Sequence, residues 1–99
     1  MAVVVLARMK VDPASFKKVH DARSDDFRAV MAQAQKAGVL HHRFILGDGE
    51  VVIIDDWPSA EAFQKFFDNA TVASLMQDAG VEGPPEISFY ESIETVDQL

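Results

Sequence analysis

The sequence predicts an α+β fold in which a four-stranded antiparallel sheet carries helices on one face. Three observations point to it. The run Val51–Trp57 (VVIIDDW) reads as a strand that leads straight into a helix start at Pro58-Ser59-Ala60-Glu61. The turn Gly47-Asp48-Gly49-Glu50 before it joins two strands as a hairpin, for which Asp-Gly is a strong signal. Reading outward from that hairpin gives strand, helix, strand, strand, helix, strand, an order that few architectures satisfy.

Each element has a local cause. Residues 3–10 (VVVLARMK) form an apolar run that turns polar at Arg8 and Lys10, as expected of a central strand covered on both faces. Asp12-Pro13 supplies an N-cap followed by proline at the first helical position. The helix beyond carries Phe16, Val19, Phe27, Val30, Met31 and Ala34 at three- and four-residue spacing, and Gly38 stops it. Ser24-Asp25-Asp26 interrupts its apolar face and predicts a kink. Val39–Leu46 is the second strand. Ser59 caps the next helix, Phe63, Phe66 and Phe67 make its buried stripe, and Asn69-Ala70-Thr71 breaks it before a short helix over Val72–Ala79. Gly83-Pro84-Pro85 forces a loop before the last strand, Ile87–Ile93, and Glu94–Leu99 has no pattern. The whole is the ferredoxin-like βαββαβ arrangement, predicted as a single domain over residues 1–99.

Composition narrows the partners. The net charge of −7 is split, with eight of the nine Lys/Arg in residues 1–43 against four acids, and one base against twelve acids in residues 44–99. No basic footprint for nucleic acid emerges from this balance, and the asymmetry fits packing between halves or between copies. No apolar run reaches the roughly 18–20 residues that span a bilayer. The absence of cysteine removes disulfides and thiolate chemistry. A cytoplasmic location is expected. Both faces of the sheet are apolar, with Val3 and Val5 opposing Val4 and Leu6, and Phe44 and Ile53 opposing Ile45 and Ile54. Two helical segments cover one face. The other would expose several hundred square ångströms of apolar surface, so a homodimer closed sheet to sheet is expected.

With this layout, and above all in Val51–Val72 (VVIIDDWPSAEAFQKFFDNATV), the chain resembles the antibiotic-biosynthesis-monooxygenase-like dimeric α/β-barrel family. In that family a strand commonly ends in acid-Trp and precedes a Ser-capped helix with Ala-Phe. The resemblance covers nearly the whole chain and implies the fold; the family holds oxygenases, haem-degrading enzymes and isomerases, so activity does not follow from it. The haem-degrading pattern needs an Asn, a Trp and a His at positions that here hold Ala7, Phe66 and Met76, so haem degradation is not expected. The cofactor-independent oxygenases of the family bind a phenolic polyketide through Asn, Trp, Tyr and Arg. Trp57, Tyr90 and Arg8 are residues of those types and are implied as substrate-binding candidates.

The residues themselves propose a site. With Asp48 and Gly49 as the turn, residue 47 faces 50 and opposing numbers sum to 97. His42 then opposes Asp55, and His41 opposes Asp56, each pair on its own face of the sheet. The His42–Asp55 face also carries Phe44, Val51, Ile53 and Trp57, making an apolar pocket with one polar pair. Asp55 can fix the imidazole tautomer and leave the other nitrogen of His42 as a general base toward a phenol or enol. His42 and Asp55 are therefore the catalytic candidates. Trp57 is read as a packing residue at the strand end that borders the pocket. Tyr90 shares a face with Ser88 and Ser92, as an interface residue or a ligand contact. Arg8 needs a partner, Asp56 or Glu91, and is a candidate anion holder. His20 is expected at a surface or boundary. The four side chains His41, His42, Asp55 and Asp56 are divided between two faces, so no metal is expected, nor any cofactor.

The resulting expectation is a cofactor-independent monooxygenase acting on a hydrophobic aromatic or enolic, polyketide-like small molecule. The alternatives are a non-catalytic ligand-binding or stress-related dimer, and a cyclase or isomerase that uses the same base without oxygen.

Overall fold

The computed structural model describes residues 2–99. The order is β1 (Val3–Lys10), α1 (Pro13–Ala22), α2 (Ser24–Ala37), β2 (His41–Gly47), β3 (Glu50–Trp57), α3 (Ala60–Phe67), α4 (Ala70–Ala79) and β4 (Glu86–Glu91). The strands form one antiparallel sheet in the order β2-β3-β1-β4. This is the ferredoxin-like α+β arrangement, with β1 and β3 central as the length of their apolar runs requires.

The helix borders follow capping chemistry. Asp12 accepts a hydrogen bond from the Ala14 amide (3.2 Å), and Pro13 opens α1. The interruption at Ser24-Asp25-Asp26 is a full break rather than a kink: α1 closes with the Arg23 amide donating to Val19, and α2 begins with the Phe27 amide donating to Arg23. Asp25 and Asp26 then sit in the first turn of α2, where the helix dipole favours acids. Gly38 ends α2 at φ 108°, a conformation that favours glycine, and its amide donates to Ala34 and Gln35. That reversal consumes Val39, whose amide also donates to Ala34, so β2 starts later than the predicted Val39. Helix α4 starts earlier than the predicted Val72, because Asn69 Oδ1 accepts from the amides of both Thr71 and Val72. The last strand runs from Glu86 to Glu91 and stops with its pairing partner Val3, short of the predicted Ile93.

The hairpin between β2 and β3 has the register read from its turn. Gly49 adopts φ 72°, Gly47 pairs with Glu50, and His42 pairs with Asp55. Side chains therefore alternate cleanly along β3: Val51, Ile53, Asp55 and Trp57 are buried under the helices, while Val52, Ile54 and Asp56 face the other side. The helix-covered face holds two core clusters. One gathers Met9, Val11, Phe16, Val51 and Ile53; the other gathers Val5, Ala34, Trp57 and Phe63. Trp57 and Phe63 are essentially inaccessible, and such burial contributes about 1.5–3 kcal/mol per large side chain.

No helix of the described residues covers the opposite face. Val4, Leu6, Val52 and Ile54 are half-buried there by their sheet neighbours alone, and Ile45 and Tyr90 are exposed. Arg8 also lies on this face, where it pairs with Glu50 at 3.1 Å rather than with Asp56 or Glu91. No helix of the described residues is long and apolar enough to cross a membrane.

Candidate functional site

Between the two core clusters lies a cavity of about 370 Å³, roofed by the helices and floored by the sheet. Its walls are mostly apolar, with Phe16, Phe27, Phe44, Phe66 and Met31 among them. A cavity of this size and lining suits a small aromatic molecule. The polar side chains that reach it are few: His42 and Asp55 from the sheet, and His20, Ser24 and Arg28 from α1 and α2.

The sheet side of the cavity is organised around Asp55. Its carboxylate is buried, at 4% exposure, and is the one buried charged group among the described residues. Both oxygens are engaged. His42 Nδ1 lies 2.7 Å from Oδ1, and Trp57 Nε1 donates to Oδ2 at 3.0 Å. A carboxylate only accepts, so His42 donates through Nδ1–H and its Nε2 is left free as the nitrogen available to a ligand. Register explains the geometry: His42 and Asp55 are directly opposed on paired strands, and Asp55 and Trp57 are two apart on one strand and so share its buried face. Trp57 in turn packs against Phe63 and Phe66 at centroid distances of 5.8 and 5.2 Å, which fixes the indole. Phe44 lies 4.8 Å from the His42 ring, with planes nearly perpendicular, and holds that imidazole from the cavity side.

The helix wall is tied down by polar clamps. Arg23, at the α1–α2 corner, reaches Asp26 at 2.9 Å, Asp78 at 2.6 Å and Ser74 at 3.1 Å. The hydrogen bond it donates to Asp26 is the main reason its guanidinium is held above the ordinary value. Toward the other end of α2, Asn69 Nδ2 donates to Gln33 at 2.8 Å. Helix α2 is thus anchored near both ends while Phe27, Val30 and Met31 overhang the cavity.

The candidate residues divide into two groups. His42 and Asp55 meet at the cavity. Trp57 meets them too, but as a wholly buried donor behind Asp55 and not as a lining residue. Tyr90 and Arg8 lie on the uncovered face of the sheet, remote from this cavity: the odd-numbered residues of β1 point under the helices, and Arg8 and the Tyr90 position paired with Val4 point away. Arg8 is held above its ordinary value by its hydrogen bond to Glu50 first and by that carboxylate's charge second. His41 and Asp56 are paired in register on that same uncovered face. His20 is half-buried, at the boundary position expected for it, and lines the cavity. A sequence signal for this position exists, because Phe16, His20, Phe27, Met31 and Ala34 fall on one stripe at helical spacing once the interruption is ignored.

No protein-family model and no curated protein sequence matches this chain. Solved structures do. SnoaB, a cofactor-independent oxygenase from Streptomyces nogalater, is similar with a TM-score of 0.63 and 17% identity, over 98% of each chain. An antibiotic biosynthesis monooxygenase is similar with a TM-score of 0.64 and 14% identity, over 93% of this chain and 99% of its own. Rv0793 from Mycobacterium tuberculosis gives 0.61 and 15%, over 98% of this chain and all of its own (100%). At these identities the likeness is one of fold, and in fold the chain resembles the antibiotic-biosynthesis-monooxygenase-like proteins.

Proposed function

We propose that this protein is a cofactor-independent monooxygenase whose substrate is a flat aromatic or enolic, polyketide-like molecule, with His42 as general base. The observation that carries the reading is the chain Trp57–Asp55–His42 at the edge of an apolar cavity. Asp55, held by the indole on one side, orients the imidazole on the other and stabilises the cation that forms when Nε2 takes a proton. The fold likeness to an oxygenase that needs no cofactor supports the same reading.

In this chemistry Nε2 removes the proton of a phenol or enol, and negative charge spreads onto a ring carbon. That carbon transfers an electron to oxygen and then bonds to it, giving a peroxide. The peroxide takes the proton back from Nε2, and loss of water then leaves a carbonyl at the carbon that began as CH2, with one oxygen atom retained on carbon and the other leaving as water. All four electrons come from the substrate, so no external reductant enters. The apolar walls favour this sequence by limiting the water that meets the anion and the peroxide.

Pairing of two copies through the uncovered sheet faces belongs to the same reading. Val4, Leu6, Ile45, Val52 and Ile54 line that face with no helix over them, and a contiguous uncovered apolar face of this kind is the mark of an interaction surface. The test is oxygen uptake with anthrone as the probe, expected at one O2 per carbonyl formed and abolished in His42→Gln. A melting shift with anthrone in the absence of oxygen uptake would instead assign a binding function, and conversion without oxygen would assign an isomerase or cyclase.

A further inference from the structure

The helix wall of the cavity carries a second imidazole that the chemistry above does not use. His20, on α1, sits among Phe16, Phe27 and Phe44 at centroid distances of 6.1, 4.4 and 6.0 Å. Of the three histidines, only His42 has a hydrogen-bond partner among the described residues. His20 is half-buried and its unpaired ring nitrogens stay accessible in the free protein. A ligand that fills the cavity takes them from water, which costs free energy unless it offers them a partner. His20 and His42 come from opposite walls, α1 and β2, and both stand nearly perpendicular to the Phe44 ring, at 81° and 86°. A planar molecule seated against Phe44 is therefore within reach of both imidazoles.

We infer that His20 is a second hydrogen-bonding contact for the ligand, so that the cavity selects a flat ring with two oxygen substituents. His42 addresses one oxygen and His20 the other. An imidazole donates or accepts according to its tautomer, so His20 accommodates either a hydroxyl or a carbonyl there. A ligand lacking the second oxygen leaves His20 unpaired against apolar walls, and such mismatches discriminate more strongly than a missing methylene does. The inference rests on the reading of this cavity as the ligand site. It adds the number of polar positions that the ligand must present.

The test is anaerobic calorimetry with two probes, 1,4-dihydroxynaphthalene and 1-naphthol. Wild-type protein should bind the dihydroxy probe about tenfold more tightly. His20→Phe, which preserves aromatic packing against Phe16 and Phe27, should bring the two affinities within twofold, and His20→Gln should restore part of the preference. The His20 ring-proton resonance of the wild-type protein supplies a readout that needs no substitution, and it should move further with the dihydroxy probe. Equal affinities in the wild type, or a full tenfold preference surviving in His20→Phe, would overturn the inference while leaving the cavity as a binding site. Failure of both probes to bind would overturn the cavity reading and this inference with it.

Discussion

Asp55 is held between two donors, His42 Nδ1 at 2.7 Å and Trp57 Nε1 at 3.0 Å, and this dictates what an amide can do in its place. Asparagine has one acceptor oxygen and one donor nitrogen, whereas both neighbours present N–H groups. Keeping the indole bond forces the imidazole to accept through Nδ1 and to carry its proton on Nε2. Asp55→Asn should therefore fold with a loss of about 1 kcal/mol and lose turnover, because the nitrogen facing the ligand has become a donor. Oxygen uptake and urea denaturation on the same preparation check this. Activity near that of the wild type would remove Asp55 and His42 from the mechanism.

Trp57→Phe should affect stability more than chemistry. Phenylalanine keeps most of the packing against Phe63 and Phe66 but leaves Asp55 Oδ2 buried without a partner, which costs about 1–3 kcal/mol. The bond to His42 survives, so turnover should fall less than in Asp55→Asn. Denaturant midpoints and initial rates, measured side by side, separate the two effects.

Ile54→Asp should dissociate the proposed dimer while leaving the fold of each chain intact. Ile54 lies on the sheet face that no helix covers, so the carboxylate is solvated in a monomer and buried only if two copies meet there. Sedimentation should give dimer for the wild type and monomer for the variant. A wild-type monomer at micromolar concentration would rule out the interface.

Asn69→Ala should weaken the helix wall. It removes the acceptor for the Thr71 and Val72 amides and the donor to Gln33, a cap worth about 0.5–2 kcal/mol. Thermal unfolding measures the loss, and hydrogen exchange should show faster opening in α4 than in β1.

How much of the fold and site is legible in the sequence depends on how local the cause is. The Asp48-Gly49 turn is local, and its two-residue length alone sets the hairpin register that pairs His42 with Asp55. That Asp55 and Trp57 share a face follows from strand alternation, but the bond between them depends on how Phe63 and Phe66 seat the indole, which is tertiary. That the boundary residue His20 faces the cavity is tertiary in the same way. The break at Arg23 and its clamp to Asp78 decide which side of α1 meets the sheet, and no short-range pattern carries that. Arg8 reaches Glu50 because the two are diagonal neighbours at the hairpin end, whereas Asp56 and Glu91 lie near the opposite end of β1, beside Val4 and Val3.

Strand β2, which bears His42, has a neighbour on one side only. The central pair β1 and β3 supplies most of the buried strand residues, so the imidazole stands on a border strand while the carboxylate that aims it stands on an interior one. A border strand tolerates substitution at its cavity-facing positions without unsettling the middle of the sheet. Phe44 packs the imidazole from the cavity side, and Asp55, anchored on the interior strand, aims it from behind. The same frame is open to retuning for new ligands one side chain at a time.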